Sequence, residues 1–136
     1  MSEPSNIVFV CEHGAAKSVI AATFFNKLAK QKGINLQAIA RGTQPDEVVS
    51  SNTLKGLVED GFSQSIPNPK KLLPTDLETA VLLVSFCDLS AEGIHHAIEV
   101  EQWGDVPPVS KDYQAARDVI LKNIYILLEK LEFNHG

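Results

Sequence analysis

No apolar run in this chain approaches the ~20 residues of a membrane-spanning helix, which excludes a helical membrane protein. Cysteine is scarce. Cys11 and Cys87 are the two in 136 residues, too few for a disulfide scaffold. There is no block of like charges, and the formal net charge of −5 argues against non-specific binding to nucleic acid or an anionic membrane. Repeats, low-complexity tracts and long linkers are also missing, so residues 1–136 are expected to form one domain. His13, His95, His96 and His135 show no ligand spacing with one another or with the cysteines, and no metal or other cofactor is expected. The first residues, Met1-Ser2-Glu3-Pro4, have neither a basic stretch nor an apolar one. With two thiols and no export signal, a cytoplasmic protein is expected.

What is present has the texture of an α/β fold. Ile7-Val8-Phe9-Val10 is short, wholly apolar and β-branched, a strand covered on both faces. From Ser18 the period becomes helical, with Ile20, Phe24 and Leu28 on one face and Gly33 to stop it. Ile34 to Arg41 alternates as a second strand and ends at Gly42-Thr43-Gln44-Pro45. Val48 to Asp60 reads as a helix, and the proline-bearing stretch Ser63 to Pro74 as a loop. Val81 to Phe86 is a third apolar strand, and Ile98, Val100 and Gln102 mark a fourth. After the Trp103–Ser110 loop, a long amphipathic helix runs from Tyr113. Alternating strands and helices predict three layers: a four-stranded parallel sheet, helices on both faces, crossovers right-handed. Ligands of such folds sit beyond the carboxyl ends of the strands, where Cys11, Cys87 and the Trp103–Ser110 loop all fall.

The stretch from Cys11 to Ser18 is the most informative. Glu12, His13, Gly14, Ala15 and Ala16 join strand to helix with mostly small residues, so the backbone can curl with its N–H groups inward. Such a concavity at a helix N-terminus attracts anions, and a thiol at its base is favoured as the nucleophilic thiolate. The spacing also fits a small buried cysteine ending a core strand, before an ordinary turn. The nucleotide P-loop is not matched, because its glycine spacing and Gly-Lys-Ser/Thr ending are absent.

Cys11, five residues, Lys17 and Ser18 resemble the Cys-x5-Arg-Ser/Thr loop of the low-molecular-weight protein tyrosine phosphatases, a superfamily that includes the thiol-linked arsenate reductases. Ala40-Arg41-Gly42-Thr43, Pro69-Lys70-Lys71-Leu72, Phe86-Cys87-Asp88 and Trp103-Gly104-Asp105 resemble later segments of the family in the same order. The resemblance implies a phosphate loop after the first strand and Cys11 as nucleophile toward phosphorus or arsenic. The amides of Glu12, His13, Gly14, Ala15, Ala16, Lys17 and Ser18 would bind oxygens, and the Ser18 hydroxyl would stabilise the leaving thiolate. Gly14 stands where the family has Asn, and both types tolerate positive φ.

Two departures stand out. Lys17 replaces the loop arginine, exchanging a bidentate fork for a point charge. The family's Asp-Pro acid has become Asp105-Val106-Pro107-Pro108, so Asp105 is either a displaced general acid or a surface turn residue. Cys87 is either the second thiol of a reductase or a structural cysteine. The reading is a phosphatase weakened by Lys17, with an arsenate reductase using Cys11 and Cys87 as the alternative. A non-catalytic oxyanion-binding module is a third. The implied partners are a small oxyanion or a phosphomonoester, a phosphoprotein included, and an external thiol donor for a reductase.

Overall fold

The computed structural model describes residues 6–63, 65–89 and 98–135. In chain order these form β1 (Asn6–Cys11), α1 (Lys17–Lys32), β2 (Gln37–Gly42), α2 (Ser51–Glu59), α3 (Pro74–Glu78), β3 (Ala80–Ser85), β4 (Val100–Gln102) and α4 (Tyr113–His135). The four strands make one sheet, ordered β2-β1-β3-β4, with every neighbouring pair parallel. The expected four-stranded parallel α/β architecture is the one observed.

Side-chain alternation along β1 divides the core. Ile7 and Phe9 point to one face, where they join Ile20 and Phe25 of α1 and Ile120, Ile124 and Leu128 of α4. Val8 and Val10 point to the other, against Leu77 of α3, Leu72 and Leu89. All four β1 residues are fully buried. At ~1.5–3 kcal/mol for each large apolar side chain buried, β1 is the keel of both layers. Phe9 also stacks between Phe86 and Trp103, with ring centroids 6.4 and 5.6 Å away. That cluster anchors the segments after β3 and β4 to the central strand.

The boundaries differ from the sequence expectation where caps intervene. Ile34 does not begin β2, because its N–H donates to the Ala29 carbonyl at 2.9 Å while Gly33, at φ 73°, closes α1. Helix α2 starts at Ser51 rather than Val48, since Ser50 is extended and its hydroxyl accepts from the Thr53 N–H. Val48 is left exposed and Val49 buried. Short α3 lies beyond the expected loop, started by Pro74 at a position where a missing N–H costs nothing. The loop itself makes one parallel bridge, with Gly42 N–H donating to Lys70 and Gly42 accepting from Leu72, both at 2.9 Å. β4 begins at Val100, two residues later than expected. His95 and His96 lie outside the described residues.

Edge strand β2 is blunted by a side chain. Asn26 of α1 donates to the Ala38 carbonyl at 3.1 Å and accepts from its N–H at 2.8 Å, supplying both bonds a further strand would make.

Candidate active site

Register sets the geometry of the rim. Cys11 pairs with Gly42 across β1 and β2, and Val10 with Ser85 across β1 and β3, so three strands end side by side. The turn after Cys11 is then stitched to the neighbouring connection by its carbonyls. Cys11 C=O accepts from Thr43 at 3.2 Å, Glu12 from Gln44 at 2.8 Å, His13 from Asp46 at 2.9 Å and Ala15 from Ser50 at 3.0 Å. With those carbonyls turned outward, the peptide N–H groups are left on the inner side. Among the described residues, the amides of residues 12–18 donate to no backbone acceptor. N–H groups set in such a concavity are able to bind an anion.

Two glycines make the stitching possible. Gly14 has φ 60°, and a Cβ there would lie 3.0 Å from the Gly42 nitrogen. A Cβ on Gly42 would lie 2.8 Å from the Gly14 nitrogen. Both positions demand glycine for close approach, and Gly14 for its backbone as well.

Cys11 is buried, with its Sγ 3.1 Å from the hydroxyl of fully buried Ser18. Lys17 is half-buried at the first position of α1, which has no acidic residue in its first turn and no side-chain cap. Lys17 has no carboxylate partner among the described residues. A lysine at this end of a helix is opposed by the dipole, and an anion relieves the conflict.

Cys11, Glu12, His13, Ala15, Ala16 and Lys17 line an open cavity of about 430 Å³. Its other walls are Asp46, the α2 start Ser50-Ser51-Asn52, Phe86, Cys87, Val109 and Ser110. The N-terminal ends of two helices therefore border one cavity. Of the residues singled out from sequence, Cys11, Glu12, His13, Ala15, Ala16, Lys17 and Cys87 meet here. Gly14 lies behind the loop, and Ser18 beneath it.

Asp105 is elsewhere. Its exposed carboxylate accepts from Asn123 of α4 at 3.3 Å, and it does not line the cavity. Of the two expectations for Asp105, this exposed position is that of a surface turn residue, and the same loop brings Val109 and Ser110 to the cavity. Cys87 is placed by Ser85, whose hydroxyl donates to the Cys87 carbonyl at 2.6 Å and accepts from the Cys87 N–H at 3.1 Å. Both cysteines stand as thiols. Asp46, Ser50 and Ser110 were not singled out from sequence. The available signal was their place after strand ends.

The comparisons follow the geometry. The model of the low molecular weight phosphotyrosine protein phosphatase family matches residues 6–130. The chain belongs to that family. Its members of similar fold include YfkJ from Bacillus subtilis, 17% identical with a TM-score of 0.86, covering 100% of this chain and 99% of that one. The low molecular weight protein tyrosine phosphatase from T. tengcongensis is 23% identical with a TM-score of 0.80, covering 93% and 99%. A Halobacterium salinarum protein named "Putative arsenate reductase" is 20% identical over 113 residues, 82% of this chain and 80% of that one. Both branch names of this phosphatase family thus occur among its relatives. Among the described residues, no helix is long and apolar enough to cross a membrane, and no group of three or more His, Cys, Asp or Glu could hold a metal ion.

Proposed function

We propose that this chain is a cysteine-dependent phosphatase that hydrolyses phosphomonoesters through a cysteinyl-phosphate intermediate. The outward carbonyls of Cys11, Glu12, His13 and Ala15 are the observation that supports it most. They leave the amides of the loop to bind the three non-bridging oxygens, directly above the sulfur. Lys17 adds one positive charge from the helix end. The Ser18 hydroxyl lies 3.1 Å from the sulfur, and toward a thiolate it is the donor, which lowers the cost of that charge both before attack and as leaving group. The cavity is open enough for an aryl or protein side-chain ester, and a small oxyanion or a phosphoprotein fits the same chemistry. Its reliance on a catalytic thiol suits a reducing, cytoplasmic setting.

Release of p-nitrophenol from p-nitrophenyl phosphate at mildly acidic pH tests the reading. Turnover by the parent protein and none by Cys11→Ser is the expected pair. Equal release from both proteins contradicts it.

A second reading, arsenate reduction, is favoured by one observation: Cys87 lines the same cavity as Cys11. Cys11 would displace an oxygen of arsenate, released as water, to form a bond to arsenic, and the Cys87 thiolate would then attack the Cys11 sulfur. As the disulfide forms, the S–As bond breaks with its electron pair left on arsenic, arsenite leaves, and an external thiol donor reduces the disulfide. Loss of thiol-coupled arsenate turnover in Cys87→Ser supports this reading, and unchanged turnover removes Cys87 from it.

A further inference from the structure

We propose that His13, oriented by Asp46, is the catalytic acid that protonates the leaving group, a role that rests on the phosphatase reading above. The cavity lacks the aspartate such a reaction needs from the loop after β4. Asp105 is bonded to Asn123, and the loop lines the cavity with Val109 and Ser110. Among the described residues, the ionisable side chains that line it are Cys11, Glu12, His13, Lys17, Asp46 and Cys87. One thiol is the nucleophile, and an ammonium holds its proton too tightly to give it up near neutrality. Imidazole is the side chain whose proton exchanges in that range.

The ring is also held as an acid requires. Its Nδ1 lies 3.2 Å from the Asp46 Oδ1, and the Asp46 N–H donates to the His13 carbonyl at 2.9 Å. Asp46 therefore grips both ends of the same residue. Nε2 is 3.9 Å from the Glu12 Oε1, beyond hydrogen-bond distance, which leaves the Nε2 proton for a substrate oxygen. A carboxylate orienting an imidazole by its other nitrogen is a recurrent solution to proton transfer. The His13 side chain is 60% exposed and lines the same cavity as Cys11.

The step balances. As the Cys11 sulfur bonds to phosphorus, the P–O ester bond breaks and its oxygen takes the Nε2 proton. Neutral His13 next removes a proton from the water that attacks cysteinyl phosphate. Phosphate leaves, the thiolate returns, and the imidazolium is restored. The charged groups facing His13 are Asp46 and Glu12, with Lys17 across the cavity.

The test compares the parent protein, His13→Gln, Asp46→Asn and Asp105→Asn on aryl phosphates from p-nitrophenyl to phenyl. Phenolate is the poorer leaving group and needs the proton most. His13→Gln is expected to lose roughly 10²–10⁴-fold on phenyl phosphate and far less on p-nitrophenyl phosphate. Asp46→Asn should show a smaller loss with the same dependence on the leaving group, which a merely structural carboxylate would not produce. Equal losses on every ester, or a leaving-group-dependent loss in Asp105→Asn, overturn the assignment of His13 alone. Absence of Cys11-dependent turnover on any ester overturns the phosphatase reading with it. All four variants are compared by thermal melting, so a folding defect is visible separately.

Discussion

Lys17 is a cation at the end of a helix where the backbone already concentrates positive charge. No carboxylate relieves it among the described residues, and an oxyanion over Cys11 does. Lys17→Ala is therefore expected to lower kcat/KM by ~10²–10³ on p-nitrophenyl phosphate, mostly as a loss of transition-state binding. Lys17→Arg should raise the rate, because a fork adds a second charge-assisted hydrogen bond worth about 1.5 kcal/mol, roughly tenfold. Steady-state kinetics check both, and a slower Lys17→Arg protein would mean that the loop does not orient a side chain at this position toward the anion. Asp105→Asn should leave kcat/KM within about twofold on p-nitrophenyl phosphate, since its partner is Asn123 outside the cavity. Cys11, Lys17 and Ser18 were singled out by the resemblance of their loop, and the structure brings them to one strand–helix junction. Asp46 was not singled out. An aspartate after a strand end is usually a turn residue, and only its approach to within 3.2 Å of the His13 Nδ1 distinguishes it.

The loop, as an element, depends on backbone against backbone. Gly42→Ala would place a Cβ 2.8 Å from the Gly14 nitrogen, so the two connections must part. The expected result is a destabilisation of about 1–3 kcal/mol in denaturant melts, with a larger loss of activity than of stability. Gly14 was recognisable in sequence as a turn glycine. Gly42 looked only like the end of a strand, because the close approach links residues 28 apart. A second element-scale device joins α2 to α4. Tyr113 donates to Asp60 at 2.8 Å, Arg117 meets the same carboxylate at 2.8 Å, and the Tyr113 ring packs on Gly56. Burial, then the bond to Asp60, push the Tyr113 phenol well above its ordinary value. Folding thus favours the protonated phenol. The stability it lends is intact below about pH 10, where the unfolded phenol keeps its proton, and is lost as the pH climbs beyond. Tyr113→Phe should be less stable than the parent at neutral pH and converge on it above ~pH 10. A constant gap through that range would contradict the clasp.

At the scale of the whole molecule, strand order and register deliver everything the cavity needs. β1 sits between β2 and β3, so the thiol, the stitching turn and Cys87 come from adjacent strand ends. Alternation of apolar strands and amphipathic helices made this architecture readable before any coordinates. Gly33 was read as the stop of α1, but the bond from Ile34 back to Ala29, the Ser50 cap of α2 and the proline-started α3 were not readable, because a hydrogen bond or a favourable first turn outweighs periodicity over three or four residues. If the cradle binds oxyanions, inorganic phosphate should raise the melting temperature by mass action, with ~2.7 kcal/mol at one hundred times its Kd. The same addition should leave Lys17→Ala less protected. Equal shifts in both proteins would mean that phosphate acts elsewhere on the surface.

The central claim is that inward amides hold an oxyanion against the Cys11 sulfur. Rapid acid quenching during turnover of p-nitrophenyl phosphate, followed by mass spectrometry of the peptide containing Cys11, tests it most directly. The account predicts a phosphoryl group on Cys11, absent from the Cys11→Ser protein. Turnover that proceeds with Cys11 unmodified, or with the phosphoryl group on another residue, contradicts it.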